Sequence, residues 1–125
     1  MNDNDISGEI IGAAIEVHKH LGPGLLESVY RDCLRHEIGL RGLAVEKEVT
    51  IPVGYKGIDI SSGYRVDLIV QKRVIVELKA VDTLLPVFTA QLLSYLRLSG
   101  LKLGLLINFN VTQLKDGVRR VVNNF

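Results

Sequence analysis

The sequence has no tryptophan, one cysteine, and aromatic residues at only 6% of its 125 positions. With few large rings to fill a core, Leu, Ile and Val must do so. The lone thiol, Cys33, excludes an intramolecular disulfide. It falls in the helical pattern "VYRDCLRHEI", where a small buried thiol is a simpler reading than a nucleophile. Net charge is lacking too, at +1. The molecule as a whole therefore exerts no pull on nucleic acid, and any polyanion site must be local. No apolar run is long enough to span a bilayer, so no membrane partner is expected. The opening "MNDNDISGEI" is polar and acidic, unlike a signal peptide, and the expectation is a cytoplasmic protein.

What is present is an ordinary globular composition, 47% hydrophobic and 23% charged. No repeat, linker or low-complexity tract divides it, and a single domain over 1–125 is expected. "NDISGEIIGAAIEVHKHLG" carries Ile6, Ile10, Ala13, Ala14, Val17 and Leu21 at helical spacing, and "GPG" at 22–24 breaks the helix. A second helix follows in "LLESVYRDCLRHEIGLRG", with Leu26, Val29, Tyr30, Cys33, Leu34 and Ile38 as its apolar stripe.

From Val45 the period shortens towards two. "VEKEVTIPVGY" reads as a strand, at a sheet edge because of Pro52. "KGIDISSG" contains turn signals. "YRVDLIV" and "RVIVELKAV" read as two strands joined by "QK", an antiparallel hairpin. "PVFTAQLLSYLRLSG" returns to a helical period, with Pro86 suited to a first turn. "KLGLLINFN" suggests a strand covered on both faces. After the Asp116-Gly117 turn signal, Val118–Val122 is expected to be a short strand, with a helix as the competing reading. The order is α-α-β-β-β-α-β plus a short C-terminal strand. This is an α/β domain of the layered α+β kind, a mixed sheet flanked by helices.

The charges in "RVIVELKAV" do not suit a buried strand. Glu77 and Lys79 share one strand face with Ile75 and Val81, a polar island on an otherwise apolar surface. On the preceding strand, Asp67 is another charge among apolar residues. A turn centred near Gln71–Lys72 sets Asp67 opposite residue 76 or 77. Two carboxylates so placed repel each other and favour a divalent cation. Oxygen ligands suit Mg²⁺ or Mn²⁺. Lys79 beside them could orient a water or offset charge on a phosphate. The competing reading is a solvated face or a cross-strand ion pair that supports the sheet.

Asp67 followed by Glu77-Leu78-Lys79 resembles the D…ExK signature of the PD-(D/E)XK nuclease superfamily. "QLLSY" at 91–95 is similar to the QxxxY motif on the helix after the ExK strand in the RecB-like and lambda-exonuclease-like branches. "GLLESVY", Gly24 to Tyr30, matches the pattern that names the GxxExxY family, a small branch of that superfamily. The resemblance runs from about Ile10 to Val122. It implies a restriction-endonuclease-like core. It also implies that Asp67, Glu77 and the backbone carbonyl of Leu78 hold a metal, that Lys79 is the catalytic lysine, and that Glu27 is an additional acid. Gln91 and Tyr95 would stand beside the site. His18, which the resemblance also includes, and Tyr30 are candidates to line the cleft.

Other features are weaker. His18 and His20, two apart on a helix, do not face each other and make no joint zinc site. "GPG" is not a phosphate-binding loop, and no organic cofactor is expected. Basic residues such as Arg31, Arg35 and Arg65 are dispersed, and the sequence does not choose among them as phosphate contacts. The function expected is a Mg²⁺-dependent nuclease-like hydrolase of phosphodiester bonds, acting on DNA ahead of RNA. The alternative is a non-catalytic nucleic-acid or protein interaction module that keeps the nuclease fold. A mean hydropathy of +0.25 in so short a chain adds a third idea, a homo-oligomer that builds its cleft between subunits.

Overall fold

The computed structural model describes residues 1–123, and at 61 and 62 the backbone only; residues 124 and 125 of the expected domain lie outside the described residues. Helix α1 spans Asp3–Leu21. It starts where Asn2 accepts from the Asp5 N–H at 2.8 Å while the Asp5 carboxylate accepts from the Asn2 N–H at 3.1 Å. Two otherwise orphaned donors are thereby satisfied at the helix start. Its expected stripe is buried at Ile6, Ile10, Ala13, Ala14 and Val17 and half-buried at Leu21. Gly22 (φ 67°) and Gly24 (φ 98°) turn the chain back through the left-handed region that glycine tolerates.

Helix α2 spans Glu27–Leu40 and buries Tyr30, Leu34 and Ile38. The stripe is narrower than expected. Leu26 precedes the helix as its N-cap and is 74% exposed, and Val29 faces outward. The Tyr30 hydroxyl donates to the Gly22 carbonyl and accepts from the Leu25 N–H, which fixes the turn between the helices.

Strands β1 (Val45–Tyr55), β2 (Ile58–Val70) and β3 (Val74–Lys79) form an antiparallel meander. Strand β2 is longer than the sequence suggested. Only Lys56 (φ 45°) and Gly57 (φ 85°) form the turn, and Tyr55 pairs with Ile58 directly beyond it. Positive φ at both central residues matches the twist of a two-residue hairpin. "DISSG" is polar enough to read as a loop, yet its backbone continues the strand. Pro52 falls where the β1–β2 register shifts, on an edge strand that does not need its missing N–H. There an added Cβ on Gly63 would meet the Ile51 carbonyl at 2.6 Å, so glycine permits the close approach.

Helix α3 (Pro86–Ser99) carries the chain to β4 (Leu103–Asn108), which pairs parallel to β3. A 3₁₀ turn at Leu114–Gly117 leads into β5 (Val118–Val122), the strand rather than the helix of the two readings. The five-stranded sheet runs β1-β2-β3-β4-β5. Its faces carry separate cores. Val74, Val76 and Leu78 pack with Leu105 and Ile107 beneath α1 and α2. Ile75 packs with Leu106 beneath Leu92, Tyr95 and Leu96 of α3. Strand β4 is buried throughout, as a strand covered on both faces requires. By alternation along β3, Glu77 and Lys79 follow Ile75 onto the α3 face, at the strand's carboxyl end.

Candidate active site

The β2–β3 ladder pairs Val70 with Val74, Ile69 with Ile75 and Leu68 with Val76, then stops. The same register would set Asp67 opposite Glu77, within the range read from the sequence. Side chains replace the next backbone bonds. The Asp67 N–H donates to Glu77 Oε1 at 2.8 Å, and the Leu78 N–H donates to Asp67 Oδ2 at 2.8 Å. The strands part here, and each carboxylate satisfies a backbone donor on its neighbour. The β1–β2 ladder lapses at the same level. Lys47 pairs with Leu68 and Val49 with Val66, and between them Glu48 stands at φ 52°.

Beyond the reciprocal bonds, Asp67 Oδ1 and Glu77 Oε2 remain for other work. The Phe109 N–H donates to the Lys79 carbonyl at 2.9 Å, so the Lys79 backbone faces β4. In a parallel ladder alternate residues turn opposite ways, so the Leu78 backbone faces β2 and Asp67. The Lys79 ammonium lies over the Phe88 ring, 4.5 Å from its centroid. That contact ties Lys79 to the first turn of α3. Tyr95, two turns on, is buried and tilts against Tyr64 at 5.0 Å. Gln91 is exposed, on the helix face between Phe88 and Tyr95.

Charge explains how these groups act on one another. Burial, then the neighbouring Asp67, pushes the Glu77 carboxyl up to about 8, against the pull of the Asp67 N–H and Lys79. Burial also raises Asp67; the Leu78 N–H, Arg31 and Lys79 oppose it. Glu27 opens to solvent at the first turn of α2, yet partial burial raises its carboxyl as well, with Lys79 opposing and Asp67 adding. Burial raises the Tyr95 phenol, with Glu77 the next cause. Four elements, α2, β2, β3 and α3, thus bring Glu27, Asp67, Glu77, Lys79 and Tyr95 into one electrostatic field.

His18 and Tyr30 have other occupations. His18 is buried and its Nε2 donates to the Val111 carbonyl at 2.8 Å, which ties α1 to the loop after β4. Tyr30 is fully buried, stacked on Phe109 at 4.6 Å. Through its hydroxyl it sets where α2, and hence Glu27, begins.

Residues 4–121 match the family model of the PD-(D/E)XK nuclease superfamily. The chain belongs to that superfamily. No curated protein and no solved structure gives a match. The fold is the restriction-endonuclease-like one expected of such nucleases, whose substrate is nucleic acid and which generally use divalent metal ions.

The donor set of this PD-(D/E)XK chain suits such an ion. Among the described residues, no three His, Cys, Asp or Glu side chains form a ready metal cage. Carboxylate and carbonyl oxygens suit a hard divalent cation, which keeps waters in its remaining positions. The free oxygens of Asp67 and Glu77, with the Leu78 carbonyl beside them, are donors of that kind.

Several neighbours of the site carry no motif. Asn108 is buried at the end of β4; its side chain accepts from the Val81 N–H at 3.1 Å and donates to the Val81 carbonyl at 2.9 Å. It pins the segment just after Lys79, its partner in the ladder. An Asn ending the apolar run "GLLINFN" was the available signal, because a buried amide must find partners. Phe88, Tyr64, Arg31 and Glu48 gave no such sign.

Proposed function

We propose that this protein is a Mg²⁺-dependent nuclease that hydrolyses phosphodiester bonds, in DNA ahead of RNA, and that it lies in the GxxExxY branch of its superfamily. One observation carries this reading. The parting of β2 from β3 holds Asp67 and Glu77 together by reciprocal backbone bonds, with Lys79 on the same face. A structural ion pair would need no such arrangement, because Lys79 makes no salt bridge with either carboxylate among the described residues.

In this reading Asp67, Glu77 and the Leu78 carbonyl hold the ion, which when bound supplies positive charge to the phosphate and lowers the pKa of water. Lys79, held over Phe88, donates hydrogen bonds to a water or to a phosphate oxygen and offsets charge as it develops. Water oxygen bonds to phosphorus, the phosphorus bond to the leaving sugar oxygen breaks, and that oxygen gains a proton. Glu27, at the edge of the field with a raised carboxyl, is placed to hold or pass on a proton. Gln91 and Tyr95 of α3 would stand beside these groups.

Purified protein with linear double-stranded DNA, single-stranded DNA and RNA, with Mg²⁺, Mn²⁺ or EDTA, tests this. Cleavage that needs the metal and is lost in Asp67→Ala and Lys79→Ala is expected. Metal-independent cleavage, or cleavage equal in wild type and variants, would overturn it. Binding without any cleavage would instead indicate an interaction module.

A further inference from the structure

Glu48 is held in an unusual way. It has a left-handed backbone that its side chain does not favour, at a gap in the β1–β2 ladder opposite Asp67. Its Oε1 meets Arg31 of α2 at 3.2 Å, and its Oε2 meets Arg65 of β2 at 3.2 Å. Each oxygen of one carboxylate therefore holds one guanidinium. The two non-bridging oxygens of a phosphodiester would present the same pair of acceptors. Arg31 is the more enclosed, its side chain 22% exposed. Its Nε is buried with no hydrogen-bond partner, 3.6 Å from Asp32.

We propose that Arg31 and Arg65 form a seat for a nucleic-acid phosphate next to the scissile one, and that Glu48 fills the seat in the free protein. This rests on the nuclease reading of the adjoining site. Glu48 stands opposite Asp67 in the β1–β2 register and Arg65 lies two residues before Asp67, so the seat adjoins the catalytic groups. A groove of about 510 Å³ lies further along α2 and β1, lined by Arg35, His36 and Lys47 together with Asp32. Arg35 stands one turn beyond Arg31, so the backbone of a polymer leaving the site meets further cations. Glu48 would repel an incoming phosphate unless it swung aside. Its bond to Arg65, whose side chain is 64% exposed, is the weaker restraint.

The test is fluorescence anisotropy with a short labelled DNA duplex in EDTA, where cutting is prevented, across a salt series. Arg31→Ala is expected to weaken binding severalfold and to lower the slope of log affinity against log salt by about one. Arg31→Lys restores the slope, because the charge returns. Glu48→Gln frees the arginines and tightens binding severalfold, and the gain disappears in the Arg31→Ala background. Circular dichroism melts confirm that the variants fold. If Glu48→Gln weakens binding, or Arg31→Ala leaves the slope unchanged in a wild type that binds and cleaves, the seat is refuted and the nuclease reading stands. If wild type neither binds nor cleaves nucleic acid, both fail together.

Discussion

Glu77→Gln should make the metal-free protein more stable at alkaline pH. The Glu77 carboxyl titrates from 4.5 when exposed to about 8 in the fold. Below pH 4.5 the carboxyl is protonated in both folded and unfolded chains and contributes nothing. Between 4.5 and 8 the unfolded chain ionises first, so metal-free stability falls as pH rises. Above 8 the full cost of the buried charge is present, up to about 5 kcal/mol at about 1.4 kcal/mol per pH unit. Glutamine keeps the oxygen that accepts from the Asp67 N–H. It also brings an amide that needs partners and removes a counter-charge from Lys79. A net gain of about 2–3 kcal/mol at pH 9 is therefore expected, and roughly none at pH 4.5. Urea melts in EDTA at the two pH values measure it. Adding Mg²⁺ at pH 9 should stabilise wild type more than Glu77→Gln, because the variant keeps only the Asp67 carboxylate to be neutralised. A variant no more stable than wild type at pH 9, or a difference that ignores pH, would refute the reasoning.

Three further outcomes can be checked by routine assays. Asn108→Ala strands the Val81 N–H and carbonyl and should cost about 2–4 kcal/mol in urea melts; any cleavage should fall as well, because the segment after Lys79 loosens. Tyr30→Phe removes both bonds that fix the α1–α2 turn while keeping the stack on Phe109, and should cost about 1–2 kcal/mol. Phe88→Ala removes the ring beneath the Lys79 ammonium; the cleavage rate at saturating substrate should drop several-fold with little change in duplex affinity, and an unchanged rate would show that the ring does not position Lys79.

The site was legible where local chemistry dictates geometry. The connection is three residues, Gln71–Arg73, one more than the "QK" read from the sequence, yet so short a link leaves little freedom in strand pairing, and Asp67 and Glu77 could be matched to within a residue. Alternation then placed Lys79 beside Glu77. Illegible features depend on groups far apart in the chain. The gap in the β2–β3 ladder at Asp67 arises because carboxylates compete successfully with carbonyls for backbone donors, which no periodicity records. Glu48 adopts positive φ without being glycine, asparagine or aspartate, so composition gives no warning. Arg31 looked like one of many solvated cations until packing set it against Glu48. The overlong turn read at "KGIDISSG" shows the opposite error, polar residues taken for a loop where the hairpin merely runs on into solvent.

The reciprocal bonds between β2 and β3 give Asp67 and Glu77 a second occupation as pieces of sheet. A descendant that no longer cut nucleic acid would still need an acceptor at each position to keep two backbone donors from being stranded. Selection for folding alone would preserve both acids, or replace them by their amides. Lys79 has no equivalent tie, since its ammonium satisfies no backbone group among the described residues. Among relatives, loss of this lysine with retention of both acids would mark lineages in which the fold has outlived the reaction.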